Sequence, residues 1–292
     1  MEYEIFCSAR QSTAIWNALD KIPPEYDQDK NPIELEGIAA AILGETIDSD
    51  ILARIKQTAD NNDAPYLLIR NFLLIQDLPP APHNDIGPAV QKWRVPAAAL
   101  LGLLRLTGHS ARSLPDEMNG RLCHMVIPAQ NSEESLTRPA KKQRFHGEGV
   151  NGDFIEENPD IENPVAAEYV GLIGLRNPDT IPVLRERADG TPGIRYSHSK
   201  PVANNKKAHE ALEQLSQSIK STERIFYIAL NPGDVLLINS RANLHERGAT
   251  ADSENVDGMD RWPLRIYVIN LPRCLFSERL RTENILWRFC ND

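Results

Sequence analysis

The chain has 292 residues, of which 41% are hydrophobic and 25% are charged, a balance typical of globular proteins. Its formal net charge of -9 argues against nucleic-acid binding, which requires a basic surface. No apolar run approaches the roughly 18 residues of a membrane-spanning helix, and residues 1–11 lack the apolar core of a signal peptide. The 4 cysteines include no CxxC pair that would indicate a zinc or redox site. These features predict a cytoplasmic protein without nucleic-acid or membrane partners.

The first third of the chain is predicted to be mostly helical. Apolar residues recur at helical spacing over residues 12–19, 33–43 and 47–55. The apolar run over residues 66–75 is short and ends near a pair of prolines, which predicts one or two buried strands. Residues 90–107 return to a helical pattern, with Pro96 near the start of the helix.

From about residue 121 the pattern changes to short apolar stretches separated by glycine, proline and asparagine. The stretches are LCHMVIP, EYVGLIGL, IFYIAL, DVLLI and LRIYVINL. Several short strands punctuated in this way predict a sandwich or barrel of the jelly-roll kind. One helix, over residues 206–219, interrupts them. The sequence therefore predicts a mainly β core with flanking helices, most of them N-terminal.

A histidine and a carboxylate stand two residues apart at His146 and Glu148. On a strand such residues point to the same side and can bind one metal ion together. With 7 histidines and 41 acidic residues in 292 positions, chance alone predicts about one such match, and the sequence contains two. The other match, at His83 and Asp85, follows the proline-rich LPPAP and is interpreted as a loop histidine. The motif therefore needs support from the rest of the chain.

Residues 230–249, LNPGDVLLINSRANLHERGA, are predicted to form a β-hairpin that brings His245 to the edge of the core. Pro232 and Gly233 favour a tight turn, DVLLIN reads as a buried strand, SRAN as a turn and LHERGA as a second strand. The alternative is that His245 is a core histidine whose hydrogen bonds are satisfied.

Two arginines, Arg261 and Arg265, stand at the start of the apolar strand IYVINL. Their even spacing places both on one face of a strand. On the inner face each would need an anion, and the guanidinium fork suits a carboxylate. On the outer face they would be surface residues that flank the strand.

Taken together, two histidines, one carboxylate and a buried arginine fit a single site. A triad of two histidines and one carboxylate with open positions is typical of non-heme Fe(II) oxygenases. A dianionic co-substrate such as 2-oxoglutarate would occupy two open positions, leave one for O2, and require a cation for its far carboxylate. A buried arginine meets that requirement.

The order and spacing of five segments resemble the clavaminate synthase-like group of 2-oxoglutarate oxygenases, within the taurine dioxygenase-like superfamily. The resemblance covers roughly residues 65–272 and is carried by YLLIRNFLLIQDLPPAP, FHGEG, EYVGLIGLRNPDT, LNPGDVLLINSRANLHERGA and DRWPLRIYV. It implies a distorted double-stranded β-helix and a single oxygenase domain over residues 1–292. The helical N-terminal part would cover about residues 1–110 and the jelly-roll core about residues 111–292.

The resemblance also implies a role for individual residues at the metal. His146, Glu148 and His245 look like the three iron ligands, and Glu148 looks like a contact of the substrate amine as well. Members of the group often read HTED or HTEM at the first histidine, where this chain reads HGEGVNGDF. Because the carboxylate at position 148 is intact, halogenation is not expected.

Three further positions match residues that bind the organic molecules in this group. Arg261 looks like the arginine that pairs with the far carboxylate of 2-oxoglutarate, and Thr180 looks like its helper. Arg265 looks like the residue that receives the α-carboxylate in members that act on free amino acids.

The resemblance predicts an Fe(II)-dependent dioxygenase, with 2-oxoglutarate and O2 as co-substrates, that hydroxylates C3 or C4 of a free L-amino acid. The overall acidity favours a basic amino acid such as lysine or arginine. Asp153, Glu156 and Glu157 follow the metal motif and would read a distant ammonium group, or else form a solvated acidic loop.

Other functions stay open at this stage. A desaturase or cyclase of the same family would act on an amino-acid-derived metabolite with the same residues. A non-catalytic metal-binding jelly-roll protein and a purely structural β-sandwich are the alternatives from other classes.

Overall fold

The structure, a computed structural model, describes residues 3–28, 31–61, 64–75, 93–112, 122–125, 143–146, 169–174, 181–186, 203, 205–222, 225–240, 243–247 and 263–270. The helices in these ranges are α1 (Ala9–Leu19), α2 (Pro32–Thr46), α3 (Ser49–Asp60), α4 (Arg94–Leu106) and α5 (Lys206–Ser221). The strands are β1 (Glu4–Phe6), β2 (Tyr66–Arg70), β3 (His109–Arg112), β4 (His124–Met125), β5 (Gln143–His146), β6 (Tyr169–Gly174), β7 (Ile181–Glu186), β8 (Ile225–Ile228), β9 (Val235–Asn239), β10 (Asn243–Arg247) and β11 (Pro263–Asn270).

All five helices in the described ranges form where the sequence predicts them, although their first and last residues differ from the predicted ones. Helix α1 begins at Ala9 because the Ser8 side chain accepts a hydrogen bond from the Gln11 amide at 3.1 Å. Helix α4 begins at Arg94, so Pro96 lies in the first turn, where its missing amide proton costs no helical hydrogen bond. Within the described residues, no helix has the length and apolarity needed to cross a membrane.

The larger sheet has seven strands in the order β1-β2-β9-β6-β11-β3, and β4 also pairs along β11. Strand β1 runs parallel to β2, and the other pairs are antiparallel. Alternate residues of each strand face opposite sides. On β9, Val235 and Leu237 join the core formed with α1 to α4, whereas Leu236 and Ile238 belong to a second apolar cluster on the other face.

The smaller sheet has four strands in the order β5-β10-β7-β8. Helix α5 packs against this sheet through Ile219, which forms a small apolar cluster with Leu244 of β10. Ile228 of β8 packs in the second apolar cluster with Leu236 and Ile238 of the larger sheet. The two sheets therefore face each other, between the N-terminal helices on one side and α5 on the other. The predicted β core with flanking helices is confirmed in this coarse form: a mixed sheet with helices around it.

The predicted β-hairpin over residues 230–249 is wrong in its pairing. Strand β9 pairs with β2 and β6 in the larger sheet, whereas β10 pairs with β5 and β7 in the smaller one. The chain thus changes sheets between Asn239 and Asn243. The predicted turn before β9 does form: Gly233 has φ +83°, and the Asp234 amide donates to the Asn231 carbonyl at 3.0 Å, as in a type II turn.

Helices α2 and α4 cross closely at Gly102. A methyl group at this position would lie 2.7 Å from the Ala39 carbonyl carbon and 2.9 Å from the Ala40 nitrogen. Because both atoms belong to the backbone, neither can move aside without shifting α2. The absence of a side chain at position 102 is therefore what allows the two helices to approach.

We expect Gly102→Ala to lower the free energy of unfolding by about 1–2 kcal/mol, since overpacking costs more than the gain in helix propensity returns. Urea denaturation measures this change. Gly37→Ala in α2 is the matched control, because a methyl group there meets nothing within 4 Å and should stabilise the protein by up to about 1 kcal/mol. A G102A variant as stable as the wild type would contradict the close crossing.

Candidate metal centre

His245 lies on β10 and is buried, with 9% of its surface exposed. Its neighbour Leu244 contacts Ile219 of α5, so alternation turns His245 and Asn243 to the opposite face of β10. That face is turned towards the larger sheet, because the Asn243 side chain donates hydrogen bonds to the carbonyls of Pro65 and Asn239. His245 therefore faces the space between the two sheets.

His146 is the last residue of β5, and its backbone is paired directly with that of His245 in the antiparallel β5–β10 ladder. Residues opposite each other in such a ladder generally have Cβ atoms about 4.5–5.5 Å apart on one face. Imidazole nitrogen is a suitable ligand for iron and other first-row transition metals. The backbone pairing of the two histidines is therefore compatible with one metal ion bound by both residues.

The remaining residues predicted at the site are outside the described residues. They are Glu148, Arg261 and Thr180, together with the acidic residues Asp153, Glu156 and Glu157 and the loop pair His83 and Asp85. Among the side chains that the structure describes, no three histidine, cysteine, aspartate or glutamate residues form a metal-binding group. Glu148, the predicted third ligand, lies outside these side chains, as does the side chain of His146.

Arg265 lies on β11 and shares a face of the larger sheet with Tyr267. The residue between them, Ile266, belongs to the helix-side core, whereas Tyr267 is 2% exposed and packs in the cluster between the sheets. The guanidinium carbon of Arg265 lies 4.8 Å from the centre of the Tyr267 ring, a cation–π contact. This contact holds a half-buried cation on the face turned towards His245, where it can receive a carboxylate.

Sequence reasoning missed Tyr267 and Asn243. Tyr267 could have been predicted from the sequence, because alternation along LRIYVIN places it on the same strand face as Arg265. No sequence pattern indicated Asn243, since one of its hydrogen bonds reaches the Pro65 carbonyl, which is distant in the chain.

Cys7 and His109, a cysteine and a histidine of the kind that can bind metals, lie on the helix side of the larger sheet. Cys7 is a neutral thiol: burial, and then the Asp48 carboxylate, raise its pKa to about 12. His109 has its Nδ1 atom 3.0 Å from the Thr107 hydroxyl and its ring edge-on to Tyr169 at 4.7 Å. It lines a cavity of about 20 Å³ beside α3 and α4, large enough for a water molecule. His109 is therefore a core histidine, apart from the face that carries His245.

No protein-family model and no curated protein matches the sequence. Solved structures match over nearly the whole chain. An asparagine oxygenase superimposes with a TM-score of 0.71 at 18% identity, covering 92% of this chain and 94% of that chain. An asparagine oxygenase in complex with Fe(II), 2S,3S-3-hydroxyasparagine and succinate gives 0.70 at 18% identity, with the same coverage. The non-heme iron oxygenase OrfP in complex with Fe, succinate and (3S)-hydroxy-L-Arg gives 0.69 at 16% identity, covering 91% and 94%. At these identities the likeness establishes a shared fold.

Proposed function

We propose that the protein is an Fe(II)- and 2-oxoglutarate-dependent dioxygenase that hydroxylates an unactivated C–H bond, at C3 or C4, of a free L-amino acid. The observation that carries this proposal is the direct pairing of His146 with His245 on neighbouring strands. The shared fold supports it, because the solved relatives include complexes with iron, succinate and hydroxylated amino acids. In this proposal the two facing sheets form a distorted double-stranded β-helix. Residues 1–292 then make one domain, helical to about residue 110 and jelly-roll beyond.

His146, Glu148 and His245 hold the metal in this proposal. The donor set fits Fe(II), for which two imidazoles and one carboxylate with open positions are suited. When bound, Fe(II) with 2-oxoglutarate and O2 supplies the oxidising chemistry, and 2-oxoglutarate leaves as succinate and CO2. The burial of His245 between the sheets keeps bulk water from its ring.

The remaining residues bind and orient the organic molecules. Arg261, helped by Thr180, pairs with the far carboxylate of 2-oxoglutarate. Arg265 receives the α-carboxylate of the amino acid, and its contact with the Tyr267 ring limits the directions in which the guanidinium fork can point. Glu148 also contacts the substrate amine. Each of these groups acts by positioning, which brings the reacting C–H bond close to the metal.

The substrate class follows from charge. The net charge of -9 and the acidic residues Asp153, Glu156 and Glu157 favour an amino acid with a basic side chain, such as lysine or arginine. The OrfP complex with (3S)-hydroxy-L-Arg supports a basic substrate, whereas the asparagine oxygenase complex supports a neutral one. We favour a basic amino acid because the negative net charge belongs to this chain, whereas the bound amino acids belong to its structural neighbours.

The test is aerobic incubation with Fe(II), 2-oxoglutarate, ascorbate and a pool of the common L-amino acids, followed by mass spectrometry. We expect one amino acid to gain an oxygen atom, with an equal amount of succinate. Incubations without O2 or without 2-oxoglutarate are the controls and should give neither product. A product that has lost two hydrogens instead would assign a desaturase or cyclase. Bound iron without any succinate formation would overturn the proposed enzymatic activity and favour a non-catalytic metal-binding protein.

A further inference from the structure

The chain crosses from the larger sheet to the smaller one immediately before the proposed metal ligand His245. Strand β9 ends at Asn239 and β10 begins at Asn243, two residues before His245. The position of His245 therefore depends on how the start of β10 is held. Residues at i and i+2 of a strand share a face, so Asn243 and His245 point the same way.

The side-chain carboxamide of Asn243 spans this crossing. The side chain of Asn243 is 3% exposed, and its Nδ2 donates to the Pro65 carbonyl and to the Asn239 carbonyl, both at 2.9 Å. The Asn239 amide donates to the same Pro65 carbonyl at 3.1 Å. One amide group thus uses both of its hydrogens to join the residue before β2, the end of β9 and the start of β10.

The pairing of β10 within the smaller sheet changes partner at His245. The pairing with β7 covers Asn243 and Leu244, and the pairing with β5 starts at His245 and becomes irregular before Arg247. Among the hydrogen bonds that the structure describes, those of the Asn243 side chain link the start of β10 to the larger sheet.

We propose that Asn243 is a positioning residue for the metal centre: it fixes the start of β10 so that His245 meets the ion at bonding distance. This inference rests on the proposed function, because it takes His245 as a ligand. Metal sites need their ligands held to within about 0.5 Å, a tolerance that a loosened strand start exceeds. Loss of groups that orient ligands typically weakens metal binding by about 10- to 100-fold.

The test measures Co(II) binding to the full-length protein by calorimetry, together with the visible spectrum of the bound ion. For Asn243→Ala we expect a Kd about 10- to 100-fold higher than in the wild type. The visible bands should also change in shape, since the ligand geometry changes. If N243A does not fold, Asn243→Ser keeps a hydroxyl donor at the position and is expected to shift Kd and spectrum in the same direction by a smaller amount.

The matched control is Gln11→Ala. Gln11 is also a buried carboxamide that joins two backbone segments, donating to the Thr46 carbonyl at 2.8 Å and accepting from the Asp48 amide at 3.1 Å. It lies with the N-terminal helices, so its loss should destabilise the fold and leave Co(II) affinity and spectrum unchanged. Equal losses of affinity in both variants, or none in N243A, would overturn the inference about Asn243. Failure of the wild type itself to bind Co(II) would instead overturn the proposed function.

Discussion

Replacing His245 with alanine is expected to abolish metal binding and reduce succinate formation to the level of the metal-free protein. A site with three protein ligands that loses an imidazole retains two, too few to hold a ferrous ion against water. His146→Ala should have the same effect, because His146 is paired with His245 on the neighbouring strand. Calorimetric titration with Co(II) and mass-spectrometric measurement of succinate from 2-oxoglutarate test both variants.

The control for this experiment is His209→Ala. His209 is exposed on α5, with its ring 3.5 Å from the Glu213 carboxylate, so its removal should change neither metal binding nor succinate formation. Because His245 is buried, H245A loses side-chain packing as well as a metal ligand. Imidazole added to the buffer distinguishes the loss of the ligand from the loss of packing. Imidazole that enters the vacated space should restore Co(II) binding if the ring is a ligand. Undiminished Co(II) binding in H245A would show that His245 is not a ligand.

The helices were predictable because their signals are local. Helical spacing of apolar residues depends only on the residues themselves, and it identified all five helices of the described ranges. Strands with long apolar runs, such as β9 and β11, were predictable for the same reason. Strand β3, with the sequence HSAR, was missed because nothing in it favours a strand. It is extended because β11 offers it a partner.

Pairing was the part that the sequence could not supply. The segment between β9 and β10 has the turn residues of a hairpin, yet the chain changes sheets there. The reason is non-local: the Asn243 side chain binds the Pro65 carbonyl, which lies far away in the sequence. Local turn chemistry indicates that the chain bends and does not indicate which strand follows as a neighbour.

The same distinction applies to the site. The residue types and the spacing of His146 and Glu148 indicated a metal-binding motif. Such motifs occur in this sequence about as often as chance predicts, so the motif needed support from other segments. The pairing of His146 with His245 comes from the β5–β10 ladder, which sequence spacing does not encode. Glu148, Arg261 and Thr180 stay predictions, since they lie outside the described residues. For Arg265 the strand pattern left the inner and the outer face open, and its contact with the buried Tyr267 favours the inner one.

A buried ionic cluster holds the turn that leads into β9 and, beyond it, β10. Asp234 is fully buried and accepts hydrogen bonds from the Arg70 guanidinium at 2.7 Å, the Asn71 amide at 2.8 Å and the Asn231 amide at 2.9 Å. Arg70 also donates to Glu4 at 2.6 Å. The carboxylate thus satisfies two backbone donors and one cation at once. Removing its charge leaves Arg70 with the Glu4 carboxylate as its ionic partner, and the amide of an asparagine at position 234 would point an N–H donor at another N–H donor.

Asp234→Asn is therefore expected to lower the free energy of unfolding by up to about 3–5 kcal/mol, the cost of leaving a buried charge uncompensated, because Glu4 still offsets part of the Arg70 charge. Chemical denaturation measures it. Lys206→Ala is the control: it removes an exposed pair, Lys206 with Glu210 at 3.8 Å, and should cost less than about 1 kcal/mol. Because Asp234 and Arg70 share one interaction, D234N combined with Arg70→Met should cost less than the sum of the two single changes. Additive losses, or a D234N variant as stable as K206A, would mean that the pair does not anchor this turn.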